Sequence, residues 1–481
     1  MQKRFISGIL VSLSLNLLIK PFSVLVIDAG IQRALGNAVY GKYFALLSLT
    51  LIANVLLDLG INNFTVRNIA QDEKRITHHL NNIVLFRILM FILYTGVVLL
   101  FAYIFGLTQN NENVLFLLIF NQFLVQSIAL LRSFFAGQHR FFLDSLLSVL
   151  DRALLIVIVG FAFLQFPTWI TIDFFVLVQC ISYLITLLVG VIFIRHSIRW
   201  SALTLNKAYI KLVLMESLPY SMLVLFMLIY NRADTLLLRL LAVDGAYEAG
   251  VYAQGFRLYD AMYMVGFIFA SVLFPMFSRM LHQKDPMISD LILVSSRWLV
   301  GGVLATVFVA IENADFLLTL LYKDQVTESS SFVFIGLMLA FLAMSFNFIY
   351  GTLLTANGSL RVLNRISGFA ALVSVGLNVC LIPLYGAKGS VIIAVITQVL
   401  VSSSLVYYSY KKIAFRAGLV DWIPLIFFVM YLGCFHFLTP AFPKFSALLT
   451  SVFVVVFGAF WFSILDINSI YRLLIKKEVA Q

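Results

Sequence analysis

Residues 81–106 read NNIVLFRILMFILYTGVVLLFAYIFG, an apolar run that holds a single charged residue, Arg87. A helix of about 20 apolar residues spans the hydrocarbon core of a bilayer, and this run is longer than that. Comparable runs follow one another along most of the chain, separated by short polar links. The pattern predicts an all-α protein that crosses a membrane many times.

Composition leads to the same fold class. Of the 481 residues, 62% are hydrophobic and 11% are charged, whereas a soluble domain is about half apolar and about a quarter charged. The net charge of +11 does not indicate a nucleic-acid partner, because the basic residues punctuate apolar runs instead of forming one face. We therefore expect neither a soluble domain nor a bound nucleic acid.

Hydropathy predicts about 14 transmembrane helices. The predicted spans are residues 5–28, 41–63, 81–106, 113–134, 143–166, 172–195, 212–238, 247–275, 290–311, 330–355, 366–385, 389–410, 421–438 and 445–465. Lys and Arg number 21 in the segments on the N-terminal side of the membrane and 6 in the links on the other side. Basic residues concentrate in cytoplasmic loops, so both termini are predicted to be cytoplasmic.

A constant offset of 212 positions predicts an internal repeat. Val39-Tyr40, Phe44 and Leu46 recur as Val251-Tyr252, Phe256 and Leu258, and Lys20 falls on Arg232. The repeat predicts two six-helix lobes, residues 1–200 and 201–415, with two extra helices and a cytoplasmic tail in residues 416–481. Transporters are often built from such repeats, with the substrate site between them. The alternative is chance, because apolar chains match one another easily.

Six basic residues remain within the predicted spans once the 21 and 6 residues counted on the two sides of the membrane are set aside: Lys20, Arg87, Arg152, Arg232, Arg257 and Arg297. A central Lys or Arg costs about 2.5–3.5 kcal/mol on insertion scales, so such a residue normally faces a partner or a wet cavity. Arg87 and Arg297 lie near the cytoplasmic ends of their spans. For these two, a side chain that snorkels to the interface is the simpler interpretation.

Acidic residues are interleaved with these cations: Asp58, Asp151, Glu216, Asp234 and Asp260. Neutralising neighbouring arginines is the simplest role for the aspartates. Arg257 and Asp260 are three positions apart, so they are predicted to share one face of a helix. Asp151 and Arg152 are adjacent in sequence and are expected to reach different partners.

Two spans carry polar stripes. Ser12, Asn16, Lys20 and Ser23 recur at spacings of 4, 4 and 3, and Thr50, Asn54, Asp58 and Asn62 at spacings of 4. These spacings place each set on one side of a helix. Pro21 follows Lys20 and permits a kink, so the first span is predicted to bend along a cavity. Gln122, Gln126 and Asn378 are expected to join helices by hydrogen bonds.

No enzyme chemistry is indicated. The chain has no Gly-rich phosphate loop followed by Lys and Ser or Thr. Its three cysteines lie inside apolar runs and its six histidines lack metal-ligand spacing. We therefore expect neither a metal nor a cofactor. Charged residues inside membrane spans that are joined by short loops are typical of a transporter.

Several short segments resemble one known family. Leu35-Gly36 with Val39-Tyr40-Gly41-Lys42-Tyr43-Phe44 looks like the opening of the second span of polysaccharide flippases. Asp58-Leu59-Gly60, Asn231-Arg232-Ala233-Asp234, Phe274-Pro275-Met276-Phe277-Ser278-Arg279 and residues 381–389 are similar to later segments of those proteins, in the same order. The chain thus resembles the Wzx-type flippases for O-antigen and related lipid-linked saccharides. Their superfamily also contains the multidrug exporters and the lipid II flippase.

The resemblance implies two lobes around a central cavity that opens alternately to each side of a bacterial inner membrane. It also implies that a polyprenyl-diphosphate-linked oligosaccharide moves from the cytoplasmic to the periplasmic leaflet. Lys20, Arg87, Arg152, Arg232, Arg257 and Arg297 are then candidate ligands of the diphosphate, because charge-assisted hydrogen bonds replace its lost hydration. Asp58, Asp151, Asp234 and Asp260 either couple transport to a proton or sodium gradient or only pair with arginines.

The expected partners are the lipid-linked substrate, membrane lipid, and polysaccharide polymerase and chain-length proteins. Two rival functions stay open. A multidrug or cation exporter of the same superfamily would carry uncompensated acids and aromatic residues in its cavity, whereas the deep basic residues favour an anionic substrate. A membrane polymerase or ligase would carry larger segments outside the bilayer than these links provide.

Overall fold

The computed structural model describes residues 16–71, 76–108, 112–195, 206–413, 422–437 and 444–462. The start of the first predicted span with Ser12, the link near residue 200 and the C-terminal tail lie outside this part of the chain. The described residues form helices joined by short turns, and no strand occurs among them. The prediction of an all-α protein is confirmed.

The helices are long and follow one another closely. After helical residues 16–22, a π-helical segment (Ser23–Asp28) leads into α1 (Ala29–Leu35), α2 (Asn37–Ala53), α3 (Val55–Asp58), α4 (Ile61–Gln71), α5 (Ile76–Ile104), α6 (Glu112–Gly137), α7 (Phe141–Gln165) and α8 (Ile172–Ile194). Then come α9 (Lys207–Leu241), α10 (Gly245–Gln283), α11 (Ile288–Glu312), α12 (Ala314–Tyr322), α13 (Glu328–Phe346), α14 (Thr352–Ala356), α15 (Leu360–Ile413), α16 (Ile423–His436) and α17 (Lys444–Trp461).

The spans agree with the hydropathy prediction. Within the described ranges, 10 helical stretches are long and apolar enough to cross a membrane by length and composition. One of them, α15, holds two predicted spans, because its backbone breaks at Gly386 (φ 54°, ψ −135°). With the first span and the short helices α16 and α17, the total matches the predicted number of about 14.

The outer faces of these helices are apolar. Leu164, Tyr103 and Leu372 keep 80%, 79% and 75% of their surface exposed. In water, contiguous apolar surface of this kind promotes association, whereas lipid chains cover it without cost. The protein is therefore a multi-pass membrane protein.

The regular α-helix of the first span is interrupted next to Pro21, whereas a bend along a cavity stays a prediction. Ser23–Asp28 forms a π-helical turn two residues after Pro21. A proline leaves a carbonyl of the preceding turn without its usual amide partner, and the helix widens there. The turn buries Ser23 and Asp28.

The second span is not one straight helix. It breaks between α3 and α4, where Leu59 (φ 44°) and Gly60 (φ 77°) adopt positive φ angles. Such an angle is uncommon for a non-glycine residue. Asp58 Oδ1 accepts a hydrogen bond from the backbone N–H of Asn62 at 3.1 Å and so caps the restarted helix. The helix is therefore interrupted within the polar stripe that the spacing of Asn54, Asp58 and Asn62 predicts.

Contacts between helices divide the chain into two compact units. Unit 1 comprises Met1–Ala253 and Val375–Ser390, and unit 2 comprises Gln254–Ser374 and Val391–Gln481. Within unit 1, a core joins Ile61 and Phe64 on α4 to Phe134 on α6 and to Ile210 and Val213 on α9. Within unit 2, α16 and α17 pack against α11 around buried Phe428, Leu432, Val454, Val455 and Ala459.

The predicted repeat falls on buried aromatic positions. Tyr40 and Tyr252, 212 positions apart in sequence, are both buried, and so are Phe44 and Phe256. The first pair lies near the start of α2 and of α10. The lobe boundaries at residues 200 and 415 stay a prediction.

Candidate functional site

A cluster of charged side chains occupies unit 1 around the start of α7. Arg132 Nε lies 2.7 Å from Asp144 Oδ1, and Arg152 Nε lies 3.6 Å from Asp151 Oδ2. Lys20 interacts electrostatically with all four of these groups. The fold thus brings together Lys20, Asp151 and Arg152, which were predicted separately from three positions in the sequence. We call these five residues the Lys20 cluster.

Lys20 differs from the arginines of its cluster in its partners. Asp144 forms an ion pair with Arg132, and Asp151 forms an ion pair with Arg152. Among the described residues, no carboxylate lies within 4 Å of the Lys20 ammonium, which is half-buried. Lysine presents a compact point charge, and within a membrane it is normally paired or faces a wet cavity. Lys20 can therefore stabilise an anion placed next to it.

The sequence analysis missed three members of this charge network. Asp28, which is 3% exposed, acts electrostatically on Arg152, and Arg132 and Asp144 form the closest ion pair of the cluster. Asp28, Arg132 and Asp144 lie at the ends of their predicted spans, so hydropathy alone does not distinguish them from residues at the membrane surface. Helical spacing offered one signal, since Asp144 and Asp151 are seven positions apart and share a face of α7.

The pair formed by Asp151 and Arg152 corrects one prediction. Adjacent residues on a helix point in different directions, and separate partners were expected for them. In the structure the guanidinium of Arg152 bends back to the carboxylate of Asp151, with 32% and 17% of the two side chains exposed. The long and flexible arginine side chain overrides the direction that the backbone sets.

A second cluster surrounds the break between α3 and α4. Arg87 on α5 is 3% exposed and donates hydrogen bonds to Asn62 Oδ1 at 3.1 Å and to the backbone carbonyl of Gln126. Its Nη2 also lies 3.5 Å from Asp58 Oδ1. The snorkelling interpretation of Arg87 is therefore wrong, because its guanidinium turns into the protein to balance a carboxylate at the helix break.

Amide side chains tie this break to α6. Asn54 Nδ2 donates to Gln122 Oε1 at 3.0 Å, and Asn62 Nδ2 donates to Gln126 Oε1 at 3.2 Å. Side chains on both sides of the break thus form hydrogen bonds with successive turns of α6. The prediction that Gln122 and Gln126 join helices by hydrogen bonds is confirmed.

Two cavities adjoin the break, both within unit 1. A polar cavity of about 90 Å³ is lined by residues that include Asn54, Asp58, Asn63, Gln126 and Tyr220. An apolar cavity of about 330 Å³ is lined by residues that include Leu49, Leu56, Val97, Phe101 and Leu225. Leu59 and Ser221 border both. The polar cavity has room for water molecules, so the carboxylate of Asp58, which is one-quarter exposed, faces a space that water can fill.

Asp234 on α9 is the most deeply buried of the four predicted aspartates, with 2% of its surface exposed. The Tyr252 hydroxyl donates to its Oδ2 at 2.8 Å, and Asn378 Nδ2 donates to its Oδ1 at 2.9 Å. No lysine or arginine in the described part of the chain pairs with it. The bond from Asn378 confirms that this amide joins two helices.

The remaining predicted residues are divided between the two units. Arg232 is half-buried on α9, two positions before Asp234 in unit 1. In unit 2, Arg257 is buried, and Asp260 and Arg297 are half-buried. Their roles as ligands or coupling acids stay predictions.

No metal centre is apparent in the described residues. No group of three or more His, Cys, Asp or Glu side chains among them could hold a metal ion. Cys180 is buried, Cys380 and Cys434 are exposed, and all three are free thiols.

The deep cations and polar clusters lie in a chain whose sequence matches a family described as "Polysaccharide biosynthesis protein" over residues 5–281. The chain belongs to this family. The matched segment includes the Lys20 cluster, the break at Asp58 and Asp234. No curated protein matches the sequence.

Solved structures of transporters share the fold of this family member. The lipid II flippase MurJ in an inward closed conformation gives a TM-score of 0.68 at 14% identity, covering 98% of this chain and 99% of that one. An inward-facing multidrug resistance MATE family transporter of the MOP superfamily gives 0.60 at 14% identity, over 82% and 94% of the two chains. A MOP superfamily transporter from Pyrococcus furiosus gives 0.57 at 14% identity, over 86% and 96%. The polysaccharide biosynthesis family member thus has the fold of transporters and flippases.

Proposed function

We propose that this protein is a flippase that moves a polyprenyl-diphosphate-linked oligosaccharide, an O-antigen or related repeat unit, from the cytoplasmic to the periplasmic leaflet by alternating access. Membership of the polysaccharide biosynthesis family and the fold shared with the lipid II flippase support the general class. The choice of an anionic lipid-linked substrate depends on the side chains of this chain.

The observation that carries the proposal is the state of Lys20. This half-buried ammonium lies beside two ion-paired arginines and has no bonded carboxylate among the described residues. A diphosphate loses strong hydration when it enters a membrane protein, and a cation in a shielded position replaces part of it. Arg152 is next to this position and can add bidentate hydrogen bonds, which a lysine cannot.

The proposed direction of transport comes from the resemblance to polysaccharide flippases. In this proposal the protein lies in a bacterial inner membrane with both termini in the cytoplasm, and it receives lipid-linked repeat units from the cytoplasmic side. A polymerase and chain-length proteins would then take the product on the periplasmic side. We include these proteins in the proposal as functional partners.

A proton or sodium gradient is the proposed source of energy, and Asp234 is the acid best suited to sense it. Its carboxylate is held by two neutral donors and by no cation, so a proton or a small cation at this position would remove a buried charge. Asp58 and Asp151 are balanced by Arg87 and Arg152 and fit the role of structural partners.

The variants Lys20→Ala and Arg152→Ala test the proposal in cells that depend on this protein for surface polysaccharide. A hydrogen bond to a charged group contributes about 1.5–3 kcal/mol, so each variant should slow transport by about tenfold or more. Lipid-linked repeat units should accumulate on the cytoplasmic side while the protein stays in the membrane. Lys412→Ala, which removes an exposed lysine, is the matched control. Normal polysaccharide in both cluster variants would exclude the Lys20 cluster from transport.

Reconstituted vesicles separate the proposal from its rivals. A fluorescent polyprenyl diphosphate saccharide should change leaflet in vesicles that hold the protein, and a lipophilic cation such as ethidium should not be exported. Ethidium export without saccharide movement would establish the cation exporter. Formation of a longer glycan by the purified protein would establish the polymerase.

A further inference from the structure

The apolar cavity of unit 1 is long and follows the interrupted second span. Its walls come from α2 and α3, from the second half of α5 and from α9. Ser221 and Leu236, which both line it, are 15 positions apart on α9. At 1.5 Å per residue, the cavity therefore follows the helix axis for about 22 Å. One leaflet of the hydrocarbon core is about 15 Å thick, so an extended lipid chain fits this length.

The rim of this cavity is apolar and exposed. Phe101 on α5 and Met222 on α9 are exposed at the rim, whereas Leu49 and Leu236 are buried in the wall. In a membrane, hydrocarbon covers an exposed apolar surface of this kind without cost. A lipid chain can therefore enter the cavity sideways from the bilayer.

The polar cavity joins the apolar one at the helix break. Leu59 and Ser221 border both, and the two volumes are about 90 Å³ and about 330 Å³. Together they form a space with a small polar end and a long apolar body. Asp58 at the polar end is five positions from the predicted cytoplasmic end of its span. The polar end is thus predicted to lie on the side of the cytoplasmic leaflet, whose head groups are at that surface.

The polar end offers acceptors. Asn54 is 9% exposed, and its Nδ2 donates to Gln122, but among the described residues nothing donates a hydrogen bond to its Oδ1. The carboxylate of Asp58 lines the same cavity and is one-quarter exposed. Arg87 lies 3.5 Å from this carboxylate, farther than the 2.7–2.9 Å or so of a charge-assisted hydrogen bond. The carboxylate can therefore accept a further donor from the cavity.

These acceptors select the head group. An orphaned buried acceptor is stabilised by an N–H or O–H donor, and a carboxylate by a donor that also carries positive charge. A primary ammonium group supplies three N–H donors and one positive charge in a small volume. A trimethylammonium group supplies charge without an N–H, and a glycerol head group supplies hydroxyls without positive charge.

We propose that the two cavities form one binding site, here called the lipid cleft, for a phosphatidylethanolamine-type phospholipid of the cytoplasmic leaflet. Its ammonium group donates to Asp58 and Asn54, and one acyl chain lies along α9 from Ser221 towards Leu236. The phosphate and the second chain stay in the bilayer. The bound lipid fills the space beside the break and joins α3, α5 and α9. The site needs only a membrane lipid, so it does not depend on the proposed flippase function.

The chain is tested by filling the apolar cavity. Val97 lines it from α5, and Val97→Trp places an indole where the acyl chain would lie. Val157→Trp is the matched control, because Val157 is 67% exposed on α7 and lines neither cavity. Delipidated protein in mild detergent is titrated with dioleoyl phosphatidylethanolamine, and bound lipid is measured by native mass spectrometry. We expect binding about tenfold weaker in Val97→Trp than in the control, and equal affinity would overturn the proposal.

The head group is tested on the wild-type protein, so this arm needs no variant. Dioleoyl phosphatidylcholine and dioleoyl phosphatidylglycerol carry the same chains as the ethanolamine lipid. A hydrogen bond to a charged group is lost with either, so both should bind about tenfold more weakly. Equal affinity for all three lipids would mean that the site recognises a chain alone and would overturn the proposal. Preference for the glycerol lipid would overturn it as well.

The carboxylate is tested by removing it together with its cation. In Asp58→Asn/Arg87→Met no charge is left unpaired, and the preference for ethanolamine over choline should fall to about threefold or less. Arg87→Met alone keeps the carboxylate and should keep the preference. An undiminished preference in the double variant would show that the ammonium binds elsewhere and would overturn the proposal.

Competition separates a membrane phospholipid from the chain of the proposed substrate. A polyprenyl phosphate is added to protein that holds the ethanolamine lipid, and the proposal expects no displacement at equal concentration. Displacement would assign the cleft to an isoprenoid chain and overturn the proposal. Absence of lipid binding would leave the transport tests of Lys20→Ala and Arg152→Ala unaffected, and failure of those tests would leave the lipid cleft unaffected.

Discussion

Asp58 and Asp234 are both aspartates of membrane-spanning helices in unit 1, but their surroundings differ. Asp58 lies at a helix break, caps α4 through the N–H of Asn62 and faces the guanidinium of Arg87. Asp234 lies within the continuous helix α9, and its partners in the described part of the chain are a hydroxyl and an amide. One carboxylate is balanced by a cation and the other is not.

Under the proposed function, this difference predicts different tasks for the two residues. An ion pair that also caps a helix stabilises the packing of the helices it joins, and we expect its charge to stay constant during transport. A buried carboxylate with neutral donors is costly in its charged form, so its state responds to a proton or cation that arrives. The partner of an intramembrane acid, and not its depth, therefore indicates whether it couples transport.

The largest expected effect is at the balanced pair. Arg87→Met keeps an unbranched side chain but leaves Asp58 without its cation, and removal of one partner of a buried pair costs about 3–5 kcal/mol. The melting temperature of the purified protein in detergent should fall accordingly. In the double variant Asp58→Asn/Arg87→Met, more than half of the loss should be recovered, because no unpaired charge remains. A double variant as unstable as the single one would contradict the pairing.

An intermediate effect is expected from the hydroxyl that binds Asp234. Tyr252→Phe removes a hydrogen bond to a charged acceptor, which contributes about 1.5–3 kcal/mol. Tyr94→Phe is the matched control, since the buried Tyr94 hydroxyl donates to the neutral backbone carbonyl of Thr50 at 3.3 Å. Its loss should cost about 0.5–1.5 kcal/mol in the same thermal measurement. Equal losses in the two variants would mean that Asp234 carries no charge.

The smallest change in stability is expected at Asp234 itself. Asp234→Asn keeps the shape of the side chain; removal of the buried charge stabilises the fold and loss of one hydrogen-bond acceptor destabilises it, so the net stability should change by less than about 1 kcal/mol. Transport driven by a proton or sodium gradient should be lost, whereas movement of saccharide down its own gradient should persist. Gradient-driven transport at the wild-type rate in reconstituted vesicles would exclude Asp234 from coupling.

Some parts of the site could be predicted from the sequence. The amides Gln122, Gln126 and Asn378 were predicted to join helices, since a polar side chain in lipid needs a partner and few are available. An irregularity after Pro21 was predictable because proline removes a backbone donor within its own helix. Both inferences depend on chemistry that is local or unavoidable in a membrane.

Other parts depended on how helices meet. Arg87 pairs with Asp58, 29 positions away, and Asp234 binds Asn378, 144 positions away. The break at Leu59 and Gly60 interrupts the regular helix from which the polar stripe was predicted. Neither the partners nor the break follows from hydropathy, because each depends on which spans become neighbours.

The amino-acid sequence by itself determined that this chain is an all-α membrane protein with about 14 spans, because the length of an apolar run and the bilayer thickness suffice for that inference. It also indicated which residues carry charge into the membrane. Only the tertiary structure decided that Lys20 lacks a bonded carboxylate among the described residues, that Arg87 has one, and that two cavities adjoin the helix break. Ion pairs and close packing require distances of a few ångströms, and only the fold brings residues that are far apart in the sequence to such distances.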